Sequence, residues 1–255
     1  MSNVQNDRAP WLRGPGAVDS VPPTAVENPC RVVLLGAPGV GKGTQAQLLA
    51  AKFGACHLST GDVFRAAKSL GEKNLTPAMA VAVTCMKAGR LVPDATVIDI
   101  VRERVGCLKC EGGFILDGFP RTVLQAEELA KMLKDQNLAL DGVLDFVLPI
   151  DQIVARLSGR RTCSGCKAVY HVTGRPPKVA DVCDICGKAL IQRDDDRPEA
   201  IRVRMKAYDE STSPLTAYYK ARHLLLSINA DGTPEEICAR AIAALEVARA
   251  AAKKG

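Results

Sequence analysis

No apolar run in the 255 residues approaches the roughly 20 needed to cross a membrane as a helix, which sets membrane insertion aside. There is no concentrated basic stripe. The net charge of +6 is too mild to argue for nucleic acid, although it suits a protein that handles polyanionic ligands. Residues 1–28 lack the apolar core of a secretory signal. Two arginines set among Asp7, Asp19 and Glu27 make a poor organelle transit peptide. That stretch carries Pro10, Pro15, Pro22 and Pro23 and little apolar periodicity. It is expected to be a disordered tail on a cytoplasmic protein. The three histidines, His57, His171 and His223, are scattered, and no Ser/His/Asp nucleophilic arrangement is evident. With no secretory signal, ten cysteines argue for metal ligands or free thiols over disulfides. No internal repeat is found.

What is present is an ordinary globular composition, 47% hydrophobic and 24% charged, long enough for one large α/β core with insertions. The chain is organised around Gly36-Ala37-Pro38-Gly39-Val40-Gly41-Lys42-Gly43-Thr44. The apolar run Val32–Leu35 leads into it and helix formers from Gln45 to Lys52 follow. Strand, glycine-rich loop and helix together make a phosphate cradle. Glycines let backbone N–H groups converge on phosphate oxygens, and the helix N-terminus adds partial positive charge. Lys42 supplies a full charge able to reach β- and γ-phosphates. The general pattern has Ser or Thr directly after the lysine. Here Gly43 intervenes, which places Thr44 to touch phosphate or a magnesium-bound water.

Helical patterns are predicted over 42–53, from Ser59 or Thr60 to about Ser69, from Pro77 to Ala88-Gly89, from Pro93-Asp94 to about Val105, over Val123–Gln136, from Asp151 to Ser158, over Arg197–Lys220 and over Pro234–Ala252. Strands are predicted at Val32–Leu35, Gly113–Asp117, Val143–Leu148 and Leu224–Ile228. The alternation implies a parallel sheet with helices on both faces, and ligands beyond the carboxyl ends of its strands. Gly36–Thr44, Asp117–Arg121 and Asn229 all fall there. The organisation expected is a P-loop core in 29–58, 93–158 and 197–255, with insertions at 59–92 and 159–196.

The second insertion contains Cys163-x2-Cys166 and Cys183-x2-Cys186, separated by sixteen residues. This is the spacing of a four-thiolate zinc ribbon, in which the metal supplies the fold and leaves no open coordination position. A structural Zn2+ is therefore expected. Cys107-x2-Cys110 reads as a turn ahead of the 113–117 strand, with a redox pair as the alternative. Cys30, Cys56, Cys85 and Cys238 read as small core hydrophobes. Arg65, Arg121, Arg156, Arg160, Arg161, Arg193 and Arg204 lie near loops, strand ends or the hinges of the second insertion. With the phosphate loop they suggest the clamp that phosphoryl transfer requires, since the planar guanidinium grips phosphate bidentately.

These motifs, with Ser59-Thr60-Gly61-Asp62-Val63-Phe64-Arg65, Gly113–Thr122 (Gly-Phe-Ile-Leu-Asp-Gly-Phe-Pro-Arg-Thr), Gly159-Arg160-Arg161 and Arg193-x-Asp195-Asp196, resemble the adenylate kinases of the long, zinc-lid type over residues 30–250. The Gly-Lys-Gly-Thr order is normal in that family. The resemblance implies a five-stranded parallel sheet, one strand more than periodicity alone supplies, a helical AMP-binding insert and a small zinc-ribbon lid. It implies Mg2+-dependent conversion of ATP and AMP to two ADP by a monomer, with no nucleic acid or membrane partner. ATP would be held by Gly39, Val40, Gly41, Lys42, Gly43 and Thr44, with Arg156 stacking on adenine opposite Tyr170-His171, by Arg160, and by the main chain at Asn229. AMP would be held by Thr60, Arg65, Met86, Val92, Gly118, Arg121 and Gln125, together with Arg193 and Arg204. Lys42, Arg121, Arg160, Arg193 and Arg204 would surround the transferred group, and Asp117 and Asp195 would organise magnesium waters or hold the arginines. Lid closure, an established behaviour of adenylate kinases, comes with the resemblance and not with the residues. A kinase of other base preference and a non-catalytic nucleotide-binding scaffold are the alternatives.

Overall fold

The computed structural model describes residues 11, 28–69, 75–87, 92–166, 168–193 and 196–252. Five parallel strands form the central sheet: β1 (Cys30–Leu35), β2 (Cys56–Ser59), β3 (Gly113–Asp117), β4 (Gly142–Val147) and β8 (Leu225–Asn229), in the order β2-β3-β1-β4-β8. The apolar strand sequences follow from coverage on both faces. In β1, Val33 and Leu35 enter one buried cluster, while Cys30, Val32 and Leu34 enter the other. β3 divides the same way, with Phe114 and Leu116 on one side and Ile115 on the other.

The helices are α1 (Lys42–Phe53), α2 (Thr60–Ser69), α3 (Pro77–Lys87), α4 (Asp94–Arg102), α5 (Val123–Asp135), α6 (Ile150–Gly159), α7 (Pro198–Ala207), α8 (Pro214–Lys220) and α9 (Pro234–Ala252). Ser59 caps α2 as expected, its Oγ accepting from Asp62 N at 3.2 Å. A second, antiparallel sheet in the order β6-β5-β7 is built from β5 (Arg160–Cys163), β6 (Val169–His171) and β7 (Leu190–Ile191).

Several expectations are corrected. The helix predicted over Arg197–Lys220 is two helices joined by a wide turn at Tyr208–Thr212, where Ser213 N donates to Tyr208 O at 2.9 Å. Pro214 is the cause: it has no N–H to continue the ladder, and its ring crowds the preceding turn. The helix beginning at Asp94 stops at Arg102, followed by a 3₁₀ segment over Val105–Lys109. Asp151 lies inside the first turn of α6, whose cap position is Pro149.

Cys56 is not a free core thiol. It is disulfide-bonded to Cys110, with Cα atoms 6.3 Å apart. The β2–β3 register, which sets Cys56 opposite Phe114, brings these two residues together across 54 positions of sequence. The general expectation of ligands and free thiols only is overturned at this pair.

Of the predicted tail, Trp11 is described, and it is buried: 1% exposed in the cluster that includes Val63, Met79, Ala82 and Phe119. Its Nε1 donates to Ser59 O at 3.0 Å, so this residue is anchored and not disordered. Residues 1–10 and 12–27, residues 70–74, the predicted helix end at Ala88-Gly89, and Asp195 lie outside the described residues.

Candidate active site

The loop after β1 is shaped by positive backbone φ angles at Gly36 (127°), Gly39 (92°) and Gly41 (99°). A side chain at Gly36 would place its Cβ 2.5 Å from Phe146 O, so this glycine lets the loop pass close to β4. Gly41 is different: nothing lies within 4 Å of where a Cβ would be, and that side faces open space. Its carbonyl accepts from Thr44 N and Gln45 N at 3.0 Å, which starts α1. Lys42 Nζ donates to Gly36 O at 2.6 Å and Ala37 O at 3.0 Å, so the ammonium sits inside the curve of the loop. Burial pushes its pKa down to about 8, against the pull of Asp117 in the other direction, and Arg121 and Arg204 lower it further. A cation already destabilised by burial and by neighbouring cations is strongly attracted to an incoming phosphate.

Asp117 ends β3, in register with Leu34 of β1 and Ser59 of β2. Burial alone would raise its pKa. The hydrogen-bonding and charge of His57, whose Nε2 lies 3.4 Å from Oδ2, prevail with help from Lys42 and Arg121, and hold the carboxyl below its usual range. His57 is buried, at 3% exposed, and backs this carboxylate. Asp145 on β4 went unnoticed in the sequence. It is 6% exposed and raised by burial, with Lys42 as its opposing charge.

On one side of Asp117 lie the residues expected for AMP. Thr60 Oγ1 donates to Asp117 O at 3.5 Å, and Arg65 pairs with Asp62 Oδ1 at 2.5 Å. Gly118, at φ 84°, keeps the space beside Thr60 Oγ1 clear, where a Cβ would come within 2.9 Å. Arg121 faces the cleft, its Nε donating to Gly118 O at 2.9 Å. Met86 and Val92 are half-buried, Val92 against the core. Gln125 is more engaged than the sequence suggests. It is 3% exposed, its Nε2 donates to Asp94 Oδ1 at 2.7 Å and its Oε1 accepts from Arg121 N at 2.8 Å. Asp94, read from the sequence only as a helix start, also accepts from Thr122 Oγ1 at 2.7 Å and so fixes the amide's orientation.

On the other side, Arg156 Nη1 approaches Val40 O at 3.5 Å, which places its guanidinium over the phosphate loop. Tyr170 departs from its expected role. It is 5% exposed and belongs to the small core of the second sheet, with Oη 3.5 Å from Cys183 Sγ and accepting from Asp184 N at 2.9 Å. Strand alternation explains this: β6 turns Tyr170 inward and leaves its neighbour His171 half-exposed. His171 Nδ1 accepts from Thr173 N at 3.2 Å and Gly174 N at 3.0 Å. The Asn229 carbonyl already accepts from Arg240 Nη1.

Two of the arginines expected around the transferred group, Arg160 and Arg204, meet at Asp196. Arg160 grips it with two bonds, Nε to Oδ2 at 2.7 Å and Nη2 to Oδ1 at 2.5 Å, and Arg204 Nη1 lies 3.5 Å from Oδ1. The Asp196 side chain is 0% exposed. Arg193 Nε donates to Thr162 Oγ1 at 2.9 Å. The resemblance gave Asp117 and Asp195 the role of organising magnesium waters or holding the arginines, and Asp195 lies outside the described residues. Asp196, the last of three consecutive aspartates, holds Arg160 and Arg204.

In the second sheet, the Sγ atoms of Cys163, Cys166, Cys183 and Cys186 all lie within 4.8 Å of one another. Four sulfurs about 2.3 Å from a central ion would be spaced at slightly under 4 Å, so the set fits a tetrahedral four-thiolate centre. Gly165 N donates to Cys163 Sγ at 3.3 Å, the kind of N–H that stabilises a thiolate. The donor set is consistent with zinc.

The family model for adenylate kinase matches residues 34–224. The chain belongs to the adenylate kinase family. It is 50% identical over 215 residues to an adenylate kinase of Acidothermus cellulolyticus, covering 84% of this chain and 97% of that one. It is 45% identical over 215 residues to one of Geotalea daltonii, covering 84% and 99%, and 47% identical over 216 residues to one of Thermodesulfovibrio yellowstonii, covering 85% and 99%. An adenylate kinase is an ATP:AMP phosphotransferase. Its substrates are the small molecules ATP, AMP and ADP, and its reaction is reversible phosphoryl transfer. Among the described residues no helix is long and apolar enough to cross a membrane.

Proposed function

We propose that this adenylate kinase carries out transfer between two anion-holding halves that share Asp117. The supporting observation is the gathering of Arg121 and Arg204 close enough to act on the charge of Lys42, with Asp117 near both Lys42 and Arg121, and Arg65 near Arg121. On this reading residues 39–44 hold the ATP phosphates through backbone N–H groups, and Lys42 exchanges the Gly36 and Ala37 carbonyls for phosphate oxygens. Arg156 and His171 flank the adenine of ATP. Thr60, Arg65, Gly118, Arg121 and Gln125 hold AMP, with Met86 and Val92 beside its base, and Arg160, Arg193 and Arg204 surround the moving phosphoryl group.

An oxygen of the AMP phosphate attacks the γ-phosphorus, that P–O bond forms, and the bond to the β–γ bridging oxygen breaks. The attacking group is already an anion, so no general base is required. The protein's contribution is alignment and neutralisation of charge on the equatorial oxygens. Mg2+ accompanying ATP would supply further neutralisation, and Thr44 and Asp117 are the residues that would hold its waters. Zn2+ on Cys163, Cys166, Cys183 and Cys186 is structural, because four thiolates leave no position for substrate. Residues 59–92 act as the acceptor arm and 159–196 as the lid. Closure excludes water, which would otherwise compete with AMP for the phosphoryl group. A cytoplasmic setting is part of this reading; the four-cysteine cluster favours it, whereas the Cys56–Cys110 disulfide argues the other way.

The test is ADP formation from Mg·ATP against a panel of AMP, GMP, CMP and UMP, with Lys42→Met and Arg121→Ala alongside. Transfer to AMP alone, lost in both variants while the fold persists, is expected. Near-normal turnover in either variant would sink the site assignment, and transfer to another acceptor would overturn the base site.

A further inference from the structure

The matched family region begins at residue 34, so Trp11 lies outside it. Trp11 is nevertheless among the largest fully buried side chains. Its indole Nε1 donates to Ser59 O at 3.0 Å, the carbonyl immediately before Thr60. Its own carbonyl accepts from Arg104 Nε at 2.7 Å. Arg104 is 2% exposed, and donates as well to Ile100 O at 2.8 Å and to Glu103 Oε2 at 3.1 Å, with Nη2 2.8 Å from Met79 Sδ. Glu103 Oε2 in turn accepts from Thr76 Oγ1 at 2.7 Å, and Thr76 Oγ1 accepts from Met79 N at 3.3 Å at the start of α3. The sequence Ser59, Trp11, Arg104, Glu103, Thr76 is therefore one continuous buried or half-buried hydrogen-bonded chain. It joins the point where the 59–92 segment leaves the sheet to the helix by which that segment returns, and fastens both to α4. Among the described residues β2 is an edge strand, paired only with β3, so its end is held on one side by the sheet. Trp11 holds it from elsewhere in the chain.

We propose that Trp11 is a positioning residue for the acceptor nucleotide: by fixing Ser59 it sets the placement of Thr60 and Arg65, and so the affinity for AMP. The inference rests on the reading of Thr60 and Arg65 as acceptor ligands. It assigns Trp11 no contact with substrate. A root held from both ends reduces the conformations the arm must abandon when AMP binds, and leaves the ATP half, built on β1 and α1, untouched.

The experiment uses the full chain with Trp11→Phe, which keeps an aromatic ring in the core while removing the N–H together with the pyrrole part of the indole, and Trp11→Ala. The expected result for Trp11→Phe is an increase of about fivefold in KM for AMP, the equivalent of one hydrogen bond, with kcat and KM for ATP within about twofold of the parent. Amide hydrogen exchange should quicken over residues 60–65 and stay unchanged in α1. Trp11→Ala should move KM for AMP further in the same direction, and if it fails to fold, Trp11→Phe decides. Arg65→Ala is the control. A raised KM for AMP in Arg65→Ala, with no change in Trp11→Phe, overturns the role of Trp11 alone. An unchanged KM in Arg65→Ala overturns the acceptor-site reading and the inference with it. KM for ATP and AMP rising together in Trp11→Phe would reduce Trp11 to a purely structural residue and also overturn the inference.

Discussion

Replacing Asp196 by alanine tests how the lid is joined to the core. The carboxylate is fully buried, takes two short bonds from Arg160 and has Arg204 at 3.5 Å. Removing one partner of a buried ion pair costs about 3–5 kcal/mol, because the remaining charge is left without compensation. Here that figure must be discounted, since the side chains of Arg160 and Arg204 are 20% and 32% exposed and can partly rehydrate. A loss of about 2–3 kcal/mol remains. For a chain of this size it corresponds to a fall of roughly 5–10 °C in melting temperature. Activity should suffer independently of stability, because Asp196 sets the direction of two guanidinium groups proposed to face the moving phosphoryl group. The assays are urea unfolding and ADP formation at a temperature where the variant is fully folded, with Asp196→Asn and Arg160→Ala completing a comparison. A kcat reduced at least tenfold, with KM values less affected, is expected, about 1.4 kcal/mol of transition-state stabilisation. If Asp196→Ala melts within about 1 °C of the parent and turns over normally, the neck contributes neither stability nor alignment.

Two further outcomes follow from the site and the cysteine cluster. The free enzyme's Lys42 has a pKa lowered to about 8, and phosphate binding raises it, so ATP binding above that pH takes up a proton. The charged fraction of Lys42 falls as pH rises through about 8, and kcat/KM for ATP should fall with it by up to about tenfold per pH unit. Calorimetry of ATP binding at pH 8.5 in buffers of different ionisation enthalpy should read the uptake, and its absence would refute the burial argument. Removing zinc with a chelator, or substituting Cys163 or Cys186 by serine, should lower the melting temperature before it abolishes chemistry. Unchanged melting with no bound zinc would refute the ribbon.

The parts of the site legible in the sequence are those made by consecutive residues. Gly36–Thr44 and Asp117–Arg121 carry their geometry locally, as a glycine turn, a strand end and a cap, so their spacing is enough. The four ribbon cysteines are legible for the same reason, as two tight turns. What escaped was set by contacts distant in sequence. Asp196 is one of three successive aspartates, and nothing in the sequence shows Arg160, 36 positions away, beside it. Cys107 and Cys110 advertise a pair, whereas the sheet register brings Cys110 to Cys56. Trp11 is a lone large apolar residue in a proline-rich stretch, and a single anchor has no period to detect. Gln125 was read as free to meet a base, because nothing in the sequence shows Asp94 beside it. The break at Pro214 is a different kind of miss. The signal was present, and the strength of the flanking helical pattern masked it.

Arg160 opens the second insertion and Asp196 closes it, and the two are bonded across 36 positions of sequence. This clasp closes the segment at its base, with Val172 N to Gly159 O at 2.9 Å and Gln192 Nε2 to Ser158 O at 3.5 Å as further ties to α6. An insertion tied at its base can change in length, composition or metal content without passing strain to the sheet. The clasp thereby divides the demands within one chain: a core constrained by the geometry of phosphate, and a small sheet whose base is fixed by its two end residues.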